Sequence, residues 1–330
     1  MHKKLSACYA QILGITCALV VVTFFVPSVF AQGEPSAVPA PPLVAVAPQD
    51  PPRALRLMPH VPKPKLKSDA KFDFSSISAT SVYVVDVASR AVLMEYNADV
   101  PHPLASITKL MTACVTLDYS VPLSKKISVI AKDEVGGARL RVNVGTKLSV
   151  KDLLNVALIG SANNTANALA RATNLSRNDF VAEMNAKAKK FGLGKTTFTE
   201  PTGIDTANVS TAKEIAALGL EAFAFPDIRR ATTTARYVVS LASGVRTVKN
   251  TNGLLTDERN GLYVLGGKTG YLVESQWNLV VKMRDARSRP IEVVVLGAET
   301  QKQSFRDAET VARWVWAHYA WSSRPLSFRP

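Results

Sequence analysis

The chain has 330 residues, room for one large domain or two small ones, and 47% of them are hydrophobic, which excludes wholesale disorder. Its formal net charge of +14 suits an anionic cell-wall polymer or lipid head groups as neighbours, although scattered solvated lysines and arginines account for most of it. The chain has no aromatic stacking pattern and no metal-finger spacing, so nucleic acid is excluded as a partner and no metal or cofactor is expected.

Residues 1–31 read as an export signal. Lys3 and Lys4 open it, Ile12 to Val26 is an apolar run, and "SVFA" ends at Ala31, a small residue suited to cleavage. The alternative is an uncleaved anchor. No charge lies between Lys4 and Glu34, so the stretch could span a bilayer and hold the protein at a membrane. Either route puts the remainder outside the cytoplasm. Cleavage removes two lysines and leaves a net charge of +12. Cys8 and Cys17 fall in the signal. Cys114 is then the one remaining cysteine, expected as a buried, inert thiol with no disulfide to make.

Residues 32–72 form a proline-rich linker, stiffened because proline fixes φ and removes a backbone donor. Globular patterning follows. "TSVYVVDVASRAVLMEYN" predicts two strands turning near Ala88–Arg90. A helix carrying Ser106 comes next, then a short strand at "KISVI". Ser149 with Asp152 reads as a capping box for a helix to about Ile159, and another helix starts near Ser161. Ser176 with Asp179 caps a helix that Gly192 can end. Ser210 or Thr211 caps "EIAALGLEAFAF".

"ARYVVSL" and "VRTVKN" predict a hairpin around Ser243–Gly244. "YVLGGKTGYL", "SQWNLVVKMRD" and "IEVVVLGA" predict three more strands. A closing helix over about Ser304 to Ala320 puts Phe305, Ala308, Val311, Ala312, Val315 and Tyr319 at helical spacing, a core-packing face rather than a membrane anchor. Strands, a helical block, then strands and a helix describe an α+β domain over 73–322. Its mainly antiparallel sheet is built from both chain ends, with a helical insertion, and 323–330 is a tail.

Several reaction centres are absent: no G-x-S-x-G, H-E-x-x-H, C-x-x-C or phosphate-binding loop. The four histidines, His2, His60, His102 and His318, offer no Ser-His-Asp set. A serine nucleophile would need lysine as its base. Ser-x-x-Lys occurs three times, at Ser68/Lys71, Ser106/Lys109 and Ser210/Lys213. The first lies at the end of the linker, and the third has capping as its simplest role. Ser106 and Lys109 share one face of a helix, and a Ser106 N–H at the start of that helix would suit an oxyanion. Ser161 and Asn163 lie at a loop-to-helix junction, and Lys268-Thr269-Gly270 lies on a strand. Each of these residues alone is as well read as a cap or a surface charge.

Taken together and in order, Ser-x-x-Lys, Ser-x-Asn and Lys-Thr-Gly resemble the signature of penicillin-binding proteins and serine β-lactamases. The stretches "PLASITKLMTA", "SANNTANALA", "FTEPTGID", "NTNGLL" and "GGKTGY" are similar to the low-molecular-weight D-alanyl-D-alanine carboxypeptidases and endopeptidases, over about residues 75–320. The resemblance implies a β-lactamase/DD-peptidase-like fold and an enzyme of the periplasm or cell envelope. Peptidoglycan peptides would be its substrates and β-lactams its covalent inhibitors.

By that resemblance Ser106 is the nucleophile. Lys109 is its base, neutralised by burial and by the neighbouring cation Lys268. The N–H groups of Ser106 and Tyr271, beside Gly270, form the oxyanion hole. Ser161 protonates the leaving amine, Asn163 holds the peptide amide, and Lys268 and Thr269 grip a terminal carboxylate or its equivalent at a crosslink. Two departures stand out. Thr251 occupies a position where carboxypeptidases tend to carry arginine, which resembles the short endopeptidase branch. Leu272, Glu274, Ser275 and Gln276 replace the family's usual residues after Lys-Thr-Gly. A serine β-lactamase and an inactive wall-binding protein of the same fold are the alternatives.

Overall fold

The structure, a computed structural model, describes residues 61–256 and 261–322. The signal segment, most of the linker and the tail lie outside the described residues.

A five-stranded antiparallel sheet forms the centre. Its strands are β1 (Ser81–Asp86), β2 (Val92–Tyr96), β3 (Tyr263–Leu272), β4 (Gln276–Arg284) and β5 (Pro290–Ala298), in the order β3-β4-β5-β1-β2. Both chain ends therefore supply it, as the patterning predicts. β1 and β5 are buried along nearly their whole length because both faces of the sheet are covered; their apolar runs are Val82–Val85 and Val293–Leu296, with the buried Glu292 beside the second. Alternation along each strand sorts the side chains. Val82, Val84, Leu279, Val281, Val293 and Val295 join one core, while Tyr83, Val85, Val280, Val294 and Leu296 join the other. Each fully buried valine or leucine contributes roughly 1.5–3 kcal/mol.

Among the described residues, seven α-helices accompany the sheet: α1 (Thr108–Asp118), α2 (Val150–Ile159), α3 (Asn163–Arg171), α4 (Arg177–Lys190), α5 (Ala212–Ala222), α6 (Pro226–Thr233) and α7 (Gln301–His318). The capping box at Ser149/Asp152 forms, and Ser176 caps α4. Thr211 rather than Ser210 caps α5, accepting from the Glu214 N–H. Ser210 instead bonds Thr196, and Ser68 and Lys71 are exposed, so neither spare Ser-x-x-Lys pair is assembled. Helix α6 has no sequence-level counterpart: it is short and has no side-chain N-cap, with Pro226 at its first turn the main signal.

The closing helix starts at Gln301, three residues before Ser304, because the Thr300 hydroxyl caps it. Its Ala308, Val311, Ala312, Val315 and Trp316 bury against the sheet. Tyr319 and Ala320 then pair with Leu66 and Lys65. Phe72 packs edge-on against Trp314. Lys65, Leu66 and Phe72, inside the stretch read as linker, thus pack against the closing helix and the strand after it. Cys114 is buried in α1, where burial pushes its thiol pKa up.

Candidate active site

Ser106 sits in a tight turn, Ala105–Ile107, that runs directly into α1. Ala105 adopts φ +49°, a left-handed conformation that costs about 1–3 kcal/mol for a non-glycine residue. Two glycines press backbone against this turn. A Cβ on Gly203 would lie 1.8 Å from the Ala105 carbonyl oxygen, and one on Gly270 would lie 2.8 Å from that of Leu104 and 3.3 Å from the Ser106 nitrogen. The Lys-Thr-Gly strand and the 200–204 loop can close on the serine only because both positions lack a side chain. β3 is also an edge strand, so its open side faces the cleft.

Lys109 is fully buried on the first turn of α1. Its Nζ lies 2.8 Å from Ser106 Oγ, 2.7 Å from Asn163 Oδ1 and 2.6 Å from the Thr202 carbonyl oxygen. The last two partners can only accept hydrogen bonds. A neutral amine donates its two N–H groups to them, which leaves its lone pair aimed at the third partner, the serine hydroxyl. Burial lowers the Lys109 pKa to about 7, against the opposing charge of Glu200. Burial is therefore the main cause. The expected repulsion from Lys268 falls on Lys268 instead.

Lys268 is equally buried on β3. It donates to Ser161 Oγ at 2.9 Å and to the Thr269 carbonyl at 2.8 Å. Burial and then the nearby Lys109 hold its pKa well below the ordinary lysine value. Ser161 has φ +60° at the entry to α3, which begins at Asn163 rather than Ser161. The Asn163 amide is engaged on both sides, accepting from Lys109 and donating to the Gly136 carbonyl at 2.9 Å.

All eight residues singled out in the sequence gather here: Ser106, Lys109, Ser161, Asn163, Lys268, Thr269, Gly270 and Tyr271. The cleft holds about 310 Å³. Its lining also includes Thr251, Gln301 and Trp277 and, among the described residues, carries no charged side chain; the two lysines lie behind it. The Thr251 and Thr269 hydroxyls are 2.6 Å apart, and Gln301 Nε2 donates to the Thr251 carbonyl. Tyr271 and Trp277 stack at 4.3 Å.

The unusual residues after Gly270 form the β3–β4 turn. The Leu272 N–H donates to Ser275 Oγ, and His102 Nε2 lies 2.9 Å from the Ser275 carbonyl oxygen. His102 thus ties a turn down rather than serving the serine.

Glu200 is the residue that sequence reading passed over. Buried in "FTEPTGID", its carboxylate accepts from the Thr202 N–H and hydroxyl, the Gly203 N–H and Asn208 Nδ2. It shapes the loop that presents the Thr202 carbonyl to Lys109. Its only sequence signal is a carboxylate just before a Pro-Thr-Gly turn. Gln301 and Trp277 carry no motif at all.

The fold is that of the penicillin-binding serine enzymes. The Streptomyces K15 DD-transpeptidase superimposes with a TM-score of 0.67 at 26% identity, covering 73% of this chain and 98% of that one. Listeria monocytogenes penicillin-binding protein D2, in its cefotaxime-bound form, gives 0.65 at 28% identity, covering 75% and 100%. A family model for D-alanyl-D-alanine carboxypeptidases matches residues 67–300. The chain is 35% identical to a D-alanyl-D-alanine endopeptidase of Pseudomonas aeruginosa over 243 residues, covering 72% of this chain and 77% of that protein. It is 32% identical to one of Escherichia coli K12 over the same shares. The chain belongs to the D-alanyl-D-alanine carboxypeptidase family of low-molecular-weight penicillin-binding proteins, and is a serine-type D-alanyl-D-alanine peptidase.

Proposed function

We propose that this chain is an exported D-alanyl-D-alanine endopeptidase that opens peptidoglycan crosslinks through a Ser106 acyl-enzyme. The observation that carries the subtype is a cleft lined, among the described residues, by uncharged side chains. Thr251, Thr269 and Gln301 offer hydroxyl and amide groups, so the wall suits a neutral peptide where a carboxypeptidase must hold a terminal carboxylate. The endopeptidases of Pseudomonas aeruginosa and Escherichia coli are matched over 77% of their length, the Escherichia coli carboxypeptidase DacA over 60%. The basic, apolar start of residues 1–31 supports export to the periplasm or envelope, with retention at the membrane if it stays uncleaved.

In this mechanism Ser106 Oγ attacks the D-alanyl carbonyl carbon and its proton passes to the Lys109 lone pair. The N–H groups of Ser106 and Tyr271 bind the resulting oxyanion; one such donor is worth about 3 kcal/mol. Ser161, bonded to Lys268, protonates the leaving amine, so Lys268 acts in proton relay more than as an anion clamp. Asn163 holds Lys109 in register and offers its remaining amide hydrogen to the peptide. Thr269 and Gly270 line the substrate strand. Water releases the acyl group.

A β-lactamase of the same fold would need a carboxylate free to activate that water. Glu200, the glutamate of the loop after α4, gives its oxygens to Thr202, Gly203 and Asn208, which disfavours that reading.

The test is digestion of a crosslinked muropeptide dimer beside a pentapeptide monomer, with Ser106→Ala as control and penicillin as inhibitor. Conversion of the dimer to monomers with little alanine released from the monomer is the expected result. Preferential release of terminal alanine would make the enzyme a carboxypeptidase, and no cleavage of either would favour an inactive wall-binding protein.

A further inference from the structure

A second cavity, of about 550 Å³, opens between residues 130–133, the end of α3 and the start of α4. Its floor is apolar. Ala170, Phe180 and Pro201 are buried there, and Ile130 and Leu175 are half-buried. Its rim is basic. Lys132 and Arg177 are exposed and have no ion-pair partner among the described residues. Asp133, the acid in the lining, is already satisfied by Arg171 at 2.8 Å and by the Ile130 N–H. Uncompensated positive charge over an oily floor suits a small anion with aliphatic substituents.

This cavity shares three walls with the catalytic cleft. The segment that lines it at Lys132 and Asp133 lines the cleft at Gly137 and Ala138. Asn167 in the cavity is one helical turn, about 6 Å, from Asn163 in the cleft. Pro201 in the cavity adjoins Thr202, whose carbonyl holds Lys109, and Gly203 in the cleft.

We propose that this cavity is a second binding site, for a carboxylate-ended D-alanyl peptide. It would hold a neighbouring peptide end of the same wall network beside the bond being cut. The ligand identity rests on the endopeptidase reading above. A D-alanyl-D-alanine end carries one carboxylate for Lys132 and Arg177 and two methyl groups for the Phe180, Ala170 and Pro201 floor.

The test uses enzyme whose Ser106 is already acylated by penicillin, so that the catalytic cleft is filled. Acetyl-D-alanyl-D-alanine and its C-terminal amide are titrated into it by calorimetry. The acid is expected to bind, with the amide weaker by about tenfold, the equivalent of one modest charge pair. The Lys132→Glu/Arg177→Glu protein should lose about the same factor for the acid while its penicillin acylation rate stays unchanged. No binding to the acyl-enzyme, equal binding of acid and amide, or undiminished binding by the double variant would each overturn the site. The acid-against-amide comparison stands whether or not that variant folds. Failure of the wild type to acylate would instead strike the Ser106 reading, and the loss of acid binding between wild type and the Lys132→Glu/Arg177→Glu protein, whose substitutions lie outside the catalytic cleft, would still judge the cavity.

Discussion

Two buried lysines lie behind one cleft, one on α1 and one on β3, and are treated differently. Lys109, on α1, meets two carbonyl oxygens and a serine hydroxyl, with the buried carboxylate of Glu200 behind them. Lys268, on β3, meets one serine and one carbonyl, and its nearest charge is another lysine. Burial lowers both. The α1 side adds an acid and keeps its lysine near neutrality, while the β3 side adds a cation and pushes its lysine further down. Position in the fold, not side-chain type, decides which amine is poised to take a proton at physiological pH.

The largest expected effect tests the α1 side. Lys109→Ala should slow acylation of Ser106 by penicillin by about 10²–10⁴-fold, the usual worth of a general base, with the melting transition retained. An unchanged rate would remove Lys109 as the base. On the β3 side, Ser161→Ala should leave penicillin binding in place and reduce peptide turnover toward the lower end of that range, about 10²-fold, since leaving-group protonation is lost. Equal loss in binding and turnover would make Ser161 a structural residue only.

The loop between the two sides is tested by Gly203→Ala. Its Cβ would meet the Ala105 carbonyl at 1.8 Å, and φ is +82°. A loss of about 1–3 kcal/mol in urea unfolding is expected, together with slowed acylation. The smallest effect is the most specific. Glu200→Gln removes the charge that raises the Lys109 pKa, so the acidic limb of the acylation profile should move below its wild-type position near pH 7. A variant with a lower plateau and an unmoved limb would leave Glu200 as a loop brace alone.

Much of this was legible in the sequence because the proposed nucleophile, its proposed base and their partners fall in three short motifs. The sheet strands were legible as apolar runs, and α2, α4 and α5 through their caps. What escaped reading depends on distant backbone. The turn at Ala105 is packed closely by Gly203 and Gly270, which are far along the chain. The orientation of the Lys109 lone pair depends on the Thr202 carbonyl, and a carbonyl has no residue signature. Glu200 lies outside the three motifs, in a family-like stretch that gave it no role, and the pairing of Lys65–Leu66 with Tyr319–Ala320 is invisible in a proline-rich tract.

The central claim is that buried Lys109 is neutral enough to deprotonate Ser106. The most direct measurement is the rate of penicillin acylation of wild-type protein as a function of pH. A neutral amine is the active form, so the rate should rise with pH through a limb centred at about 7. A limb centred near the ordinary lysine value of 10.5, or a rate flat across neutrality, would contradict the account.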